Sequence, residues 1–597
     1  MIAPMTKYSF VLLHGDEGSF LEKLQECGVV DIIRSLKPVD AVSSGMLAEA
    51  EALRKSVTSL EKASFEGVTP ARVETDDPQG SVRKVLAELE DCTSQLALAH
   101  KEAESLQVWG EFSPQRIKSL EEDGIKLHFY RVPLKKFDAG WASQYPLQVI
   151  SQDSKNVWFV TVSSGEELDF PVKETPAPSR TAAEALGEAA ALESRIEAAK
   201  AEILGLKEYL PAMKAELASR MAALDLYFAR ESAGKAAEGH IVTFTGFVPD
   251  DNLDKAEQAF DQIGVIYLKE NATVEDNPPI KLKNNRFVSM FEVLTDMYGR
   301  PAYNGFDPTP FISVFFMLFF AFCMGDCGYG LILVALGLAM KKSEGMAGLS
   351  PLVTTLGVAT TVIGFLFHNF FSIDIAQWEM FSGIKWIFLP GKIAGYDGTM
   401  VLSIIVGVIH LCLAMIVKTW METKNKGMLN SLGTWGWTLL IVGGVIVGGL
   451  ALVGVLDSAV TKWTVIVLGV VSAAGIFLFN DMSKSRLANV GLGLWNTYNT
   501  ATGLVGDILS YLRLYALGLA GSMLGLAFNN IGTMILGDGS NIFAWIFFIL
   551  VVLVGHTLNI AMAALGAFVH PLRLNFLEFF KNSGYEGVGR NYNPLKK

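Results

Sequence analysis

The feature that most constrains this chain is a series of long apolar segments in its second half. They lie at about residues 311–340, 351–372, 401–417, 433–456, 463–480, 497–530 and 542–576. A helix needs about 20 predominantly apolar residues to cross the ~30 Å hydrocarbon core of a bilayer. Residues 1 to about 300 are, by contrast, charged and ordinary in hydropathy. We therefore predict a soluble half, residues 1–305, joined to an α-helical transmembrane domain, residues 306–580, with a tail at 581–597.

Positive charge in the short loops predicts the orientation, because cytoplasmic loops carry an excess of Lys and Arg. The loops after the first, third, fifth and last segments carry Lys341, Lys342, Lys418, Lys424, Lys426, Lys484, Arg486, Lys581, Arg590, Lys596 and Lys597. With a cytoplasmic soluble half, this pattern holds only if the first segment is a hairpin that turns near 325–328. We expect about eight spans, the last two long and tilted, and both termini in the cytoplasm.

The soluble half combines α/β patterns with two long helical tracts. Strand and helix patterns predict α/β modules near residues 1–44, 109–179 and 236–275. The tracts at about 45–108 and 180–235 are rich in Ala, Leu, Glu and Lys at helical spacing. Two such tracts separated by a mixed segment favour an antiparallel coiled coil. A set of unrelated surface helices is the alternative.

Charge and motifs argue against several function classes. The formal net charge of -12 disfavours nucleic-acid binding, which needs a basic patch. Five scattered cysteines without a C-x-x-C pair fit a reducing cytoplasm rather than a disulfide framework. No basic region followed by an apolar stretch begins the chain, so no cleaved signal peptide is expected. A P-loop and an H-E-x-x-H motif are both absent from the sequence, so we expect no cofactor, metal or nucleotide site in this chain.

Arg513 is the residue that most directly indicates function. It lies in the otherwise apolar run at 506–521, and an arginine near mid-membrane costs at least ~2.5–3.5 kcal/mol on insertion scales. Asp507 is a possible local partner, but six positions away it lies on a different helix face. A counter-ion supplied by another protein would instead offset the cost of placing Arg513 in the membrane.

Small and polar residues accompany Arg513 in the last two segments. Small residues that let another helix approach closely recur at Gly518, Gly521 and Gly525. Packing within the chain itself is an equally good explanation of this glycine stripe. Polar groups that could line aqueous half-paths are Asn499, Asp507, Ser510, His556, Asn559, His570 and Arg573. Arg573 lies near the end of its span, so snorkelling of its side chain to the lipid headgroups explains its presence as well as a role in ion transfer does.

Further polar residues lie within the earlier segments. They are Asp326, His368, Asn369, Asp374 and His410. We interpret such isolated groups as satisfied structural or interfacial residues in preference to transport sites.

An ordered series of motifs makes the chain recognisable. The motifs are NPPIKLKN at 277–284, FEVLTDMYGRP at 291–301, DPTPF at 307–311, FFMLFFAFCMGDCGYG at 315–330, SYLRLYALGLA at 510–520 and HPLRLNFLEFF at 570–580. In these motifs the sequence resembles the V-type ATPase subunit a family, called subunit I in bacteria and archaea. The resemblance covers essentially the whole chain.

The resemblance implies a static membrane subunit of a rotary ATPase or ATP synthase. Such a subunit forms H⁺ or Na⁺ half-channels against a proteolipid rotor ring (subunit c or K). Arg513 matches the family's essential ring-facing arginine, and His570 and Arg573 match its histidine and second arginine. Eukaryotic members carry acidic residues at the positions of Asn499 and Ala563 and a histidine at the position of Asp507. This chain departs from their pattern at these three positions.

The resemblance also implies partners and a location. The cytoplasmic arm would bind peripheral stalk subunits of the E and G type, with a central-stalk subunit as a further candidate. An integral position in a prokaryotic cell membrane is expected, with ATP hydrolysed or made by other subunits.

Two other function classes are alternatives for this sequence. A self-contained secondary transporter with a regulatory arm would show related halves, and we find no repeat between 311–450 and 451–580. A non-conducting membrane scaffold would leave the cost of burying Arg513 unexplained.

Overall fold

The computed structural model describes residues 1–35, 37–138, 140–164, 170–236, 240–343, 345–380, 386–393, 395–479, 486–537 and 541–596, without the side chains of 486–488. Lys484 and Lys597, used above for orientation, lie outside these residues, as does the side chain of Arg486. The chain forms two compact units. The first comprises Met1–Leu13, Val29–Ile32 and Ala236–Pro594, and the second comprises His14–Gly28, Ile33–Lys235 and Leu595–Lys597.

The strands are β1 (Met5–Leu13), β2 (Asp31–Ile32), β3 (Ile125–Pro133), β4 (Leu147–Gln152), β5 (Asn156–Ser164), β6 (Gly234–Ala236), β7 (Ile241–Pro249), β8 (Ile266–Asn271), β9 (Asn369–Phe370), β10 (Ile373–Asp374), β11 (Lys392–Ile393) and β12 (Tyr396–Asp397). The helices before the apolar segments are α1 (Glu17–Cys27), α2 (Ala41–Lys62), α3 (Pro78–Gln107), α4 (Pro114–Glu122), α5 (Trp141–Gln144), α6 (Ala182–Leu206), α7 (Leu210–Glu231), α8 (Leu253–Ile263), α9 (Arg286–Ser289) and α10 (Glu292–Tyr298). The apolar part contains α11 (Thr309–Met324), α12 (Cys327–Met340), α13 (Ser350–Leu366), α14 (Gly398–Lys426), α15 (Leu432–Leu452), α16 (Ser458–Leu478), α17 (Arg486–Leu536), α18 (Ile542–Arg573) and α19 (Phe580–Ser583).

The second unit is built on two pairs of helices. Lys214 and Arg220 of α7 pair with Glu61 and Glu49 of α2, at 2.7 and 3.7 Å. Because residue numbers rise on one helix as they fall on the other, α2 and α7 run antiparallel. Arg195 of α6 likewise reaches Glu88 of α3 at 2.6 Å. Helical pairs are thus present where the tracts were predicted, and their supercoiling as a coiled coil remains a prediction.

The second unit also contains a small sheet. Its strands lie in the order β3-β5-β4 and pair antiparallel. Tyr130 and Phe159 stack at 5.2 Å, and Phe170 lies 4.6 Å from Tyr130, so these rings form the core on one face. The sheet occurs where the sequence predicted the module at 109–179.

Gly205 marks the tightest contact in the helical pairs. A Cβ at this position of α6 would lie 1.9 Å from the carbonyl oxygen of Ala71, whereas at Gly187 on the same helix no described atom lies within 4 Å. We expect Gly205→Ala to destabilise the arm by about 1–3 kcal/mol through overpacking. Gly187→Ala should instead stabilise it by roughly 0.5–1 kcal/mol, because alanine loses less backbone entropy in a helix. Hydrogen exchange of arm peptides in the full chain measures both, and equal effects of the two changes would contradict the assignment.

One sheet of the first unit joins distant parts of the sequence. Its strands lie in the order β2-β7-β1-β8, with β1 antiparallel to both β7 and β8. Phe260 of α8 packs edge-on against Tyr8 and Phe10, at 5.1 and 5.0 Å. The modules predicted near 1–44 and 236–275 therefore share a single sheet.

The C-terminal tail packs onto the linker that precedes α11. Tyr585 donates its hydroxyl to the carbonyl of Gly299 at 2.7 Å, and Gly589 forms an antiparallel bridge with Arg300. A Cβ on Gly589 would lie 2.0 Å from the carbonyl oxygen of Pro301. Residues 585–594 of the tail are therefore an integral part of the first unit.

This contact predicts that Gly589→Ala displaces the tail. The added methyl group would clash with the backbone of Pro301 and not with a flexible side chain. We therefore expect faster hydrogen exchange and easier proteolysis at residues 585–594. Glu586→Ala, which changes an exposed side chain of the same segment, is the matched control. Unchanged exchange in the glycine variant would show that the tail accommodates the methyl group.

Among the described residues, five helices are long and apolar enough to cross a membrane: 398–426, 429–452, 458–478, 489–536 and 542–583. Three shorter apolar helices, α11, α12 and α13, precede them. The chain breaks between α11 and α12 at Gly325, which has a φ of +53°, so the break lies where a turn was predicted. The count of eight spans and the tilt of the last two remain predictions.

The last two apolar helices are long, as expected. Helix α17 has 51 residues and α18 has 32, and α18 is followed by a π-helical turn at Leu574–Phe579. Turns of this kind are rare and occur frequently at functional sites.

Candidate functional site

Arg513 lies near the middle of α17 and is half-buried. Its Nη1 atom is buried and has no hydrogen-bond partner among the described residues. Within that part of the chain, no carboxylate oxygen lies close enough to form an ion pair with its guanidinium. A buried donor without a partner carries a desolvation penalty of about 1–3 kcal/mol, and more when charged. This nitrogen is therefore free to bind a group that the described chain does not supply.

One basic residue of α18, His570, lies close to Arg513, and a second, Arg573, lies close to His570. His570 is within electrostatic range of both Arg513 and Arg573, and its Nδ1 atom is also buried without a partner in the described part of the chain. The side chain of Arg573 is exposed. The structure thus places His570 near each of the two arginines with which the family resemblance grouped it.

A buried aromatic group fixes α17 beside the arginine. Tyr511 is completely buried, and its hydroxyl lies 2.9 Å from Nδ1 of the completely buried His410 on α14. The His410 ring stacks on Phe579 at 4.7 Å with an interplanar angle of 5°. A Cβ on Gly407 would lie 2.3 Å from Cγ of Tyr511. This packing sets the rotation of α17 and so the direction of Arg513.

Asp507 and Ser510 lie towards the first half of α17. Asp507 accepts a hydrogen bond from Nδ2 of Asn582 at 2.8 Å and lies 3.5 Å from Nζ of Lys581. The Ser510 hydroxyl donates to the carbonyl of Gly506 at 3.1 Å. Asn499 lies further along the same helix, with its side chain exposed.

His556 and Asn559 join three helices at the part of α17 that follows Arg513. Nδ1 of His556 lies 2.6 Å from the hydroxyl of Tyr329, and Nε2 lies 2.9 Å from Oδ1 of Asn529. Asn559 donates to the same hydroxyl at 2.9 Å and to the carbonyl of Gly521 at 2.8 Å. Both predicted pathway residues therefore belong to a satisfied network between α12, α17 and α18.

A cavity of about 540 Å³ borders α17 next to Arg513. It is lined by Leu514, Tyr515, Gly518 and Ser522 of α17 and by the segment from His368 to Asp374, among others. His368 and Asp374 form an ion pair at 3.0 Å, with side chains 33% and 42% exposed. A partly open, mainly apolar space with a few polar groups at its border thus reaches Leu514, the residue that follows Arg513.

Asp326 and Asn369 of the earlier segments have hydrogen-bond partners within their own chain. Asp326 accepts hydrogen bonds from the backbone N–H groups of Tyr329, Phe371 and Ser372 at 3.1, 3.0 and 2.7 Å. Asn369 donates to the carbonyl of Gly325 at 3.1 Å. These contacts agree with the structural interpretation of Asp326 and Asn369. His410 contacts the Tyr511 hydroxyl through Nδ1, whereas its buried Nε2 has no partner among the described residues.

The glycine stripe is divided between internal packing and open space. A Cβ on Gly518 would lie 2.8 Å from the carbonyl oxygen of Phe322, and one on Gly525 would lie 2.0 Å from Oγ of Ser372. At Gly521 no described atom lies within 4 Å of that position. Packing of this stripe on a ring remains a prediction, and Gly521 is the position with room for it.

Two features of the site escaped the sequence analysis. Glu578 lies in the motif at 570–580, where an acid at a span end is naturally interpreted as interfacial, yet its side chain is buried. The pairing of His410 with Tyr511 joins residues 101 positions apart, for which the sequence carries no signal.

The fold and site define a polytopic helical membrane protein with a soluble arm and, on the long helix α17, an arginine whose buried Nη1 atom has no partner among the described residues. The model of the V-type ATPase 116 kDa subunit family matches residues 206–383 and 497–597. The chain belongs to this family.

Several relatives are similar over long stretches. The A-type ATP synthase subunit I of Methanocaldococcus jannaschii is 30% identical over 68% of this chain and 63% of its own length. That of Pyrococcus horikoshii is 33% identical over 58% and 53%. The chain therefore spans between half and two thirds of these archaeal relatives. The V-type ATP synthase subunit I 1 of Treponema pallidum is 25% identical over 100% of both chains.

One solved structure was also matched. It is a crystal structure of the cytoplasmic N-terminal domain of subunit I, a homolog of subunit a of V-ATPase. It is 17% identical and covers 45% of this chain and 100% of that domain, with a TM-score of 0.22. A likeness at this level does not bear on the fold.

Proposed function

We propose that this chain is the static membrane subunit of a rotary V-type ATPase or ATP synthase, which conducts ions jointly with a ring of proteolipid subunits. The observation that carries the proposal is the buried Nη1 of Arg513, for which the described residues supply no partner. A membrane carboxylate on a moving neighbour would supply one.

The chemistry of this pair explains ion transfer. A carboxylate that arrives beside a fixed guanidinium is shifted to its ionised form, because a nearby opposite charge lowers its pKa. It releases its ion into one half-path and is recharged from the other. The arginine itself keeps its proton at ordinary pH, so it blocks a direct leak between the two half-paths.

The surroundings of Arg513 support two half-paths and an external partner. The cavity at Leu514 and Gly518 would serve as one half-path. Asp507 and Ser510 would begin the other. Only 11% of the apolar window of α17, and 11% of that of α18, is buried, so these helices present a large apolar surface to lipid or to a ring.

Gly521 allows the ring contact to be tested. Gly521→Trp would place a bulky side chain in the space that the ring should occupy, so we expect weaker ring association and at least a ~10-fold loss of ATP-driven pumping, the size of a ~1.4 kcal/mol effect. Gly449→Trp on α15, another helical glycine with no described atom within 4 Å of its Cβ position, is the matched control. Equal pumping by both variants would show that the ring does not contact α17 at Gly521.

The arm is proposed to bind peripheral stalk subunits and to resist torque. Its support is family membership together with an apolar groove of about 550 Å³ beside the β3-β5-β4 sheet, lined by Trp109, Phe129, Tyr145 and other residues. We place the protein in a prokaryotic cell membrane, with both termini in the cytoplasm.

Purification of the chain from its native membrane tests the proposal directly. Co-purification with a small proteolipid and with ATPase subunits is the expected result. Ion transport by the chain alone in liposomes would identify a self-contained transporter instead and would overturn the proposal.

A further inference from the structure

A groove of about 440 Å³ lies where the segment before β1 meets α11 and α14. Its lining includes residues 1–4, Pro310 and Phe311 at the start of α11, and Trp420 and Lys424 near the end of α14. Both helices are apolar. Because the first residues of one and the last residues of the other line the same groove, these ends lie on one side of the apolar layer. The groove is therefore at a membrane surface.

One face of α14 leads from the apolar layer to this groove. Ile409, Ile416 and Trp420 are exposed on it, and Lys424 follows Trp420 at the next i,i+4 position of the same face. Nζ of Lys424 lies 5.9 Å from the centre of the Trp420 ring. Tryptophan is enriched where lipid tails meet headgroups, and lysine extends its ammonium group to headgroup level. This face thus passes from tail depth to headgroup depth between Trp420 and Lys424.

The charges of the groove favour an anion. Its lining, as far as the structure describes it, contains one carboxylate, that of Asp307, which lies 2.7 Å from the amino group of Met1. Glu422, the acid nearest to Lys424 in sequence, pairs instead with Lys426 at 3.6 Å. Within the described residues, Lys424 forms no ion pair. The groove thus carries one uncompensated positive charge, which matches the single negative charge of a phosphodiester.

The remaining walls suit a ligand that is polar at one end and apolar at the other. The Tyr303 hydroxyl accepts the backbone N–H of Met5 at 3.0 Å, so its own proton can be donated to a phosphate oxygen. The rings of Phe306 and Phe311 lie 6.1 Å apart on the apolar side. Val314, one turn further along α11, is exposed and extends this apolar side into the membrane layer. A free phosphate ion would leave that aromatic wall uncovered.

We infer that this groove binds an anionic phospholipid, with the phosphate beside Lys424 and the Tyr303 hydroxyl and with an acyl chain over Trp420 and Phe311. Basic pockets between membrane helices are a general way to hold anionic lipid headgroups. The bound lipid would join the segment before β1 to α11 and α14. It is a resident ligand, distinct from the transported ion.

Native mass spectrometry of the purified full chain in detergent tests the charge preference. With equal amounts of phosphatidylglycerol and phosphatidylcholine, we expect phosphatidylglycerol to be retained preferentially. Lys424→Gln should weaken phosphatidylglycerol binding about fivefold, the contribution of one lysine near a membrane surface, and leave phosphatidylcholine binding unchanged. Lys462→Gln, which removes an exposed lysine beside the exposed Trp463 of α16, is the matched control and should bind as the unchanged protein does. Equal weakening by both variants, or no preference for the anionic lipid, overturns the inference.

Photo-crosslinking locates the lipid in the assembled complex. The probe is phosphatidylglycerol with a diazirine in its acyl chain, incorporated into liposomes that hold the complex. Adducts on residues 310–314 and 416–424 of the unchanged protein are the expected result, and they decide the matter even if Lys424→Gln does not fold. Adducts confined to other helices, or a segment of another subunit found in the groove, would refute the lipid assignment. Because binding is measured directly, a failure of ion pumping would count against the proposed function alone.

Discussion

Arg513→Ala is expected to abolish ATP-driven ion pumping while leaving the complex assembled. The buried Nη1 of the guanidinium has no partner in the described chain, so its removal leaves no described group without a hydrogen bond to this atom. The ring carboxylate would lose the charge that favours its ionised form. Loss of a preorganised charged group of this kind reduces rates by about 100-fold to 1,000-fold. Ion uptake by reconstituted complexes, with assembly checked by subunit composition, measures the effect.

Two further variants sharpen this result. Arg513→Lys keeps a positive charge but loses the planar, permanently charged fork, and it should pump poorly. Arg286→Ala removes an exposed arginine of the same unit and should pump normally. Normal pumping by Arg513→Ala would refute the role assigned to this residue, whereas a failure of assembly would assign it a structural role.

Asp326→Ala is expected to produce the largest loss of stability in the membrane helices. Asp326 is 1% exposed and accepts hydrogen bonds from the backbone N–H groups of Tyr329, Phe371 and Ser372. Phe371 and Ser372 have φ angles of +48° and +60°, a conformation that persists only where surrounding contacts impose it. Loss of hydrogen bonds to a charged group costs about 1.5–3 kcal/mol each, so we expect several kcal/mol in total.

Thermal unfolding of the purified chain in detergent measures this loss. Asp374→Ala is the matched control, because Asp374 is 42% exposed in its ion pair with His368 and such pairs contribute at most about 1 kcal/mol. Asp326→Asn retains one accepting oxygen and should fall between the two. A melting temperature for Asp326→Ala equal to that of the control would show that the segment after α13 is held by other contacts.

Composition and periodicity were sufficient to predict the elements near Arg513. Long apolar runs predict helices because backbone polar groups in lipid must be satisfied within the segment, and α17 and α18 are found over the predicted runs. Arg513 stood out because a charge in such a run is expensive. Its proximity to His570 was expected only from the family resemblance.

What the sequence by itself determined is the helical apolar half, the long helices of the arm and the energetic cost of an arginine at position 513, because these depend on local hydropathy and spacing. Only the tertiary structure decided that β1 pairs with β7 and β8, that His410 holds Tyr511, and that Glu578 lies buried near Arg513. Each of these depends on contacts between residues far apart in the chain. Periodicity within one segment carries no information about which distant segment packs against it.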